Sequence, residues 1–193
     1  MDIDAFLKGE EGAVRLVGPD QGTRPRALLP GSFNPLHAGH RGLAAAAAKV
    51  LGCPVEFELS IVNVDKPPLD AAEVARRASQ FTPPESLWVT RAPTFLQKAE
   101  LFPGTWWVVG ADTALRIVQG RYYADEQGVA QALEAIRERG CRFLVAGRLG
   151  HSGYQCLPDL PIPPDASDLF EALPEEAFRV DLSSTELRAR RAE

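Results

Sequence analysis

Two of the chain's three histidines, His37 and His40, fall in one short stretch, GSFNPLHAGH at 31–40. Imidazoles three residues apart share a face if both lie in the first turn of a helix. There each can donate a hydrogen bond to an oxygen that is gaining negative charge. The glycines and the proline around them shape a tight turn that lets backbone N–H groups approach a ligand. A helix starting at this point adds its positive end. Such a set suits a polyphosphate. A lone histidine is more often simply packed on a turn, but two in one loop, placed where α/β sheets bind phosphates, favour the ligand. A second place is Gly110-Ala-Asp112, directly after the apolar run Trp106–Val109. A carboxylate there can accept from ribose hydroxyls or sit near a metal, and it can equally cap the helix that starts at Thr113. The third is LSSTELR, Leu182–Arg188. Two serines, a threonine and an arginine one turn later at a helix start form a phosphate cradle. Ser183 and Glu186 also have capping-box spacing, which does not account for Arg188.

These residues need elements to hold them, and the sequence predicts strands alternating with helices. A short helix is expected at Ile3–Lys8, with the rest of residues 1–25 a surface lead-in without period. Apolar runs predict strands at Ala27–Leu29, Val55–Val62, Leu87–Thr90, Trp106–Val109 and Arg142–Ala146. Helices are expected over 41–52, stopped by Gly52, over 70–81 with Asp70 as N-cap, at Thr94–Leu101, at Thr113–Val118 and at Gln127–Arg139, stopped by Gly140. Residues 157–176, rich in proline and acid, read as a loop with one short helix. A last strand is expected at Phe178–Leu182 and a terminal helix at Ser183–Arg191. The fold class this implies is α/β, a Rossmann-like doubly wound parallel sheet in a single domain, with ligands at the carboxyl ends of the strands. The adjacent Trp106 and Trp107 point to opposite faces of a strand, so core packing is the better reading for them, while Tyr122 and Tyr123 fall in a loop.

Composition narrows the class. The chain has 193 residues, 45% hydrophobic and 24% charged, enough for a real core and against wholesale disorder. Its net charge is −5, which argues against a nucleic-acid partner. That charge is uneven: residues 1–150 carry 17 acids and 17 bases, residues 151–181 seven acids and one base, and residues 182–193 two acids and three arginines. The segment Pro158–Asp181 therefore reads as a solvated acidic surface loop. Cys53, Cys141 and Cys156 form no CxxC pair and read as small buried thiols of a reducing cytosol. No stretch approaches the roughly 20 apolar residues of a membrane span, and the acidic N-terminus is unlike a signal peptide. A cytoplasmic protein without a membrane partner is expected. A homo-oligomer is compatible with the sequence.

GSFNPLHAGH resembles the GxFxPxHxGH signature of the nucleotidylyltransferase superfamily. Together with VGADT and LSSTELR, in that order across residues 27–191, it is most similar to the nicotinate/nicotinamide mononucleotide adenylyltransferases. Phosphopantetheine adenylyltransferases have a similar SST element but usually show threonine where this chain has His37. The resemblance implies a lead-in at 1–25 and a nucleotidylyltransferase domain at 26–193. It implies that Gly31, Ser32 and Phe33 line the nucleotide site and that His37 and His40 contact ATP phosphates. Lys66, in NVDKPPL, would lie near the entering phosphate, and Arg148 would be a further binding arginine. Gly110 and Asp112 would hold ribose, and Ser183, Ser184, Thr185 and Arg188 would bind ATP, Arg188 at the departing pyrophosphate. Magnesium would come with ATP, and the second substrate would be a phosphorylated small molecule. Two positions depart from the pattern: Asn34 stands where aspartate is common, and RAPTFLQKAELFPG, with Lys98, replaces a threonine-rich stretch near the nicotinamide site. The chain also resembles a subgroup fused behind amidase-like domains, in which residues 1–25 would be a linker. The alternatives are an acceptor such as phosphopantetheine or a sugar or polyol phosphate, and a nucleotide-binding module without catalysis.

Overall fold

Short runs of branched and aromatic residues, each bounded by glycine, proline or a capping residue, set the element boundaries. The computed structural model describes residues 3–19, 22–62, 67–120, 123, 125–150 and 153–179. In chain order the elements are α1 (Ile3–Lys8), β1 (Ala13–Val17), β2 (Ala27–Pro30), α2 (Ala38–Leu51), β3 (Glu56–Ser60), α3 (Ala71–Ala78), β4 (Leu87–Thr90), α4 (Phe95–Leu101), β5 (Trp106–Gly110), α5 (Ala111–Ile117), α6 (Glu126–Glu138), β6 (Arg142–Ala146), β7 (Arg148–Gly150), β8 (Gly153–Gln155) and β9 (Phe170–Leu173). The caps follow the residue chemistry. Gly52 ends α2 at φ 63°, where a side chain would be strained. Asp70 accepts the Glu73 N–H at 2.8 Å at the start of α3. Thr94 and Gln97 form a reciprocal box on α4.

Seven strands form one sheet in the order β1-β4-β3-β2-β5-β6-β9. All neighbours pair parallel except β1, which runs antiparallel to β4. The six parallel strands thus have the doubly wound order 3-2-1-4-5-6 of the Rossmann-like folds. The chain turns from one half of the sheet to the other between β2 and β5, and the crevice outside their carboxyl ends is where such sheets take ligands. Alternate strand residues feed two cores. Leu29, Phe57, Leu59, Val89, Val108 and Leu144 belong to a cluster with α2 and α3. Leu28, Trp107, Val109, Phe143 and Val145 belong to a second with α4, α5 and α6.

The structure departs from the sequence expectations at both ends. Within the expected lead-in, Ala13–Val17 is a strand of the sheet, with Val14 buried against the first core. The acidic segment is not a solvated loop. Two 3-10 turns, Leu157–Asp159 and Pro164–Leu169, lead into β9, which pairs with β6. The Phe170 ring stacks on Phe143 at 4.9 Å, and Arg137 on α6 grips Asp168 and the Asp165 carbonyl. Two acids of the segment, Asp168 and Glu171, thereby face basic partners, Arg137 on α6 and Arg142 on β6. Among the described residues the last parallel strand is Phe170–Leu173; Phe178 and Arg179 are not strand, and Val180–Leu182 lie outside the described residues. The β7–β8 hairpin went unpredicted. Cys53 and Cys141 are buried as expected, but Cys156 is half-buried, with its thiol 3.0 Å from Asp159.

Leu169 is 1% exposed beneath β9. Leu169→Ala is expected to cost about 2–5 kcal/mol of unfolding free energy in urea, the scale of a truncated core leucine. A residue of a solvated loop would lose less than about 0.5 kcal/mol.

Candidate functional site

The loop 31–37 leaves β2 and enters α2, and α3 holds it from below. Arg77 Nη1 donates to the Ser32 carbonyl at 2.8 Å. Gln80 Nε2 donates to the Phe33 carbonyl at 2.9 Å, and its Oε1 accepts the Leu36 N–H at 2.9 Å. Arg76 donates to Asn34 Oδ1 at 2.8 Å. Glu73 fixes both arginines, and they in turn hold its carboxyl down at about 2. The clamp allows Phe33 a φ of 46°, unusual for a side chain of that size. The Phe33 ring is wholly buried, edge-on to Phe57, Phe81 and His40. It supports the loop from inside, and its ring forms no part of the cleft wall. Gly31 is needed for the same packing, since a Cβ there would lie 2.6 Å from the Phe33 ring.

On this base His37 caps α2 and His40 sits in its first turn. Their rings stack with centroids 3.8 Å apart and 28° between planes. The first turn of α2 carries no acidic side chain, so the positive helix end is not neutralised there. Burial, then the neighbouring His37, Arg148 and Arg41, lower the His40 pKa to about 3; burial and Arg148 also lower His37. Both rings are neutral near pH 7. His40 Nδ1 accepts the His37 backbone N–H at 3.3 Å, which leaves the ring proton on Nε2 as a donor.

A cleft of about 470 Å³ runs over the carboxyl ends of β2, β3 and β5. At one end it is lined by Gly31, Ser32, His37, His40, Asp112 and Arg148. Arg148 Nη1 lies 3.0 Å from both Asp112 oxygens, so these two expected ligand residues are paired with each other across the mouth. At Gly110 a Cβ would lie 2.8 Å from Asp112 Oδ1. The cleft is also lined by Phe95 and Lys98 of α4, Thr113 and Arg116 of α5, and Glu58 of β3. Lys66, Ser183, Ser184, Thr185 and Arg188 lie outside the described residues, as does Tyr122. Phe178 lines the cleft. Trp107 is buried in the second core, where Tyr123 also packs, and Trp106 leans on the first. The sequence reading missed Glu58, Arg77, Gln80 and Arg116. Only Arg116 left a signal, one turn after Asp112 on a helix whose start was expected to face the ligand.

Residues 28–190 match the family model described as cytidylyltransferase-like. The chain belongs to that family. Membership agrees with the resemblance carried by its three motifs. It is also similar to a Schizosaccharomyces pombe protein named "Putative nicotinamide mononucleotide adenylyltransferase", 27% identical over 145 residues, which are 68% of this chain and 57% of that protein. The chain thus matches little more than half of that relative's length. Among the described residues no helix is long and apolar enough to cross a membrane.

The His40 pKa is lower folded than its ordinary 6.5, so the neutral ring's contribution to folding is present above pH 6.5 and is lost as pH falls toward about 3. In a histidine NMR titration the His40 ring is expected to stay neutral from about pH 8 to about pH 5, while an unperturbed histidine charges within that range. A His40 midpoint near the ordinary value would contradict the buried, stacked geometry.

Proposed function

We propose that the chain transfers AMP from ATP to nicotinamide or nicotinate mononucleotide with release of pyrophosphate, a step of NAD synthesis. The observation that carries this reading is the stacked, uncharged His37–His40 pair at the start of α2. It offers hydrogen-bond donors at a positive helix end, at the strand switch point where phosphates bind. A phosphate oxygen of the acceptor attacks the α-phosphorus of ATP in line. The new P–O bond forms as the bond to the α,β-bridging oxygen breaks, and its electrons leave with pyrophosphate. No protein nucleophile is required, and catalysis is positioning and charge stabilisation.

In this reading His37 and His40 donate to the α- and β-phosphate oxygens. Neutral rings suit the task, because they stabilise charge that appears during transfer without first binding a proton. Asp112 accepts from a ribose, and a ligand there competes with Arg148 for its carboxylate. Arg148, once released, is a cation at the phosphate end, and Arg116 is a second cation lining the cleft. Lys66 neutralises the entering phosphate, and Ser183, Ser184, Thr185 and Arg188 receive the departing one. Magnesium arriving with ATP supplies further charge neutralisation on the phosphates.

The test is pyrophosphate release from ATP with each mononucleotide, alongside phosphopantetheine and sugar or polyol phosphates. Release with a mononucleotide is expected, and His40→Ala is expected to lower turnover about 10²-fold or more, the scale of one lost stabilising donor. A loss under about threefold in a folded variant would remove His40 from its role. Release only with another acceptor would reassign the substrate, and nucleotide binding with no release for any acceptor would identify a silent module.

A further inference from the structure

Adenylyl transfer at the histidine end leaves one buried charged pair of the cleft without a task. Glu58 on β3 is 1% exposed and Lys98 on α4 is 5% exposed, and both belong to the cleft wall. Lys98 Nζ lies 2.5 Å from Glu58 Oε1, and the Thr90 hydroxyl donates to the same oxygen. The pair sits on the sheet face that also carries Leu28, Trp107 and Val109. Two apolar side chains of similar volume would fill that place without the desolvation cost of two charges. Its position is tied to the catalytic loop. Glu58 pairs in register with Pro30, and its carbonyl accepts the Gly31 N–H at 3.0 Å. A ligand that holds its phosphate near the histidines and reaches over Gly31 toward α4 therefore ends against this pair.

Both bonds to Glu58 fall on Oε1. Among the described residues this leaves Oε2 to accept and two Lys98 N–H groups to donate. The wall thus sets a donor and an anionic acceptor side by side. A carboxamide matches it, with its oxygen toward Lys98 and its NH₂ toward Glu58. A carboxylate can take the Lys98 bond, but it sets its second oxygen against Glu58 with like charge. We propose that the Glu58–Lys98 pair determines acceptor specificity, selecting a mononucleotide whose base carries a neutral carboxamide over one with a carboxylate in that place. The proposal rests on the adenylyl-transfer reading and adds its choice of acceptor. Specificity here is built as much on the unfavourable contact as on the favourable one.

The experiment compares kcat/KM for nicotinamide mononucleotide and nicotinate mononucleotide at saturating ATP, in the full chain and in Glu58→Gln. The chain is expected to prefer the carboxamide by about tenfold or more, the effect of one like-charge contact in a partly desolvated site. Glu58→Gln removes the negative charge while keeping the shape. It is expected to shrink the preference by about threefold or more through a lower KM for the carboxylate acceptor, with the KM for ATP unchanged. Equal use of the two acceptors by the unmodified chain, or a preference for the carboxylate, overturns the proposal even if Glu58→Gln does not fold. So does an unchanged ratio in a folded Glu58→Gln. No pyrophosphate with either acceptor overturns the adenylyl-transfer reading and this proposal together, whereas a preference of the wrong sign overturns this proposal alone.

Discussion

The histidine pair can act only where the loop after β2 is held, and that loop is held by side chains of α3 and of the turn that ends it. The bonds from Arg77 to the Ser32 carbonyl and from Gln80 to the Phe33 carbonyl and the Leu36 N–H satisfy backbone groups that the loop itself cannot pair. A large residue at positive φ costs on the order of 1–3 kcal/mol, and such a conformation persists only when its surroundings over-determine it. Here they do, with one bond from Arg77 on α3, two to Gln80 in the turn after it, and three aromatic edges around the Phe33 ring. The ring in turn supports His40, and His40 sets the stacking distance to His37. The chemistry at the cleft is downstream of this clamp.

The charge state of the site follows from the same packing. A buried imidazole packed against an aromatic ring and a second imidazole, with the charges of Arg148 and Arg41 nearby, cannot hold a proton near neutrality. The cleft is nonetheless suited to anions. Helix-end N–H groups, neutral ring donors and Arg148 supply the field locally, while Asp112 shields that arginine until a competing ligand arrives. A net charge of −5 is compatible with this because the excess acid lies elsewhere in the chain, in residues 151–181, where Asp168 and Glu171 pair with Arg137 and Arg142.

How much of this the sequence disclosed depends on how local each signal was. The parallel strands from β2 to β6, with the helices between them, carry their own periodicity and caps, and they were legible. The histidine loop was legible because its residue types and spacing are local. β1 and β9 were not. Each is a short edge strand whose burial comes from a distant partner, so AVRLV and FEAL show little period of their own. Phe33 entered the nucleotide site only through the family resemblance, and its ring is buried beneath the loop at a φ of 46°, an orientation that residue type and spacing do not encode. Glu58 and Lys98 are 40 positions apart and meet only through the crossover from β3 to α4, a relation no spacing rule encodes.

The close approach of Gly31 to the Phe33 ring has a consequence for how such a chain can diverge. Any side chain at position 31 collides with that ring, and a smaller residue at position 33 would leave a hole under His40. The two positions are therefore epistatic. A single step at either one passes through a damaged loop, so descendants must keep the pair or replace both together. Drift in this lineage is steered away from the loop and toward cleft walls that bear no such lock, among them the α4 and α5 faces.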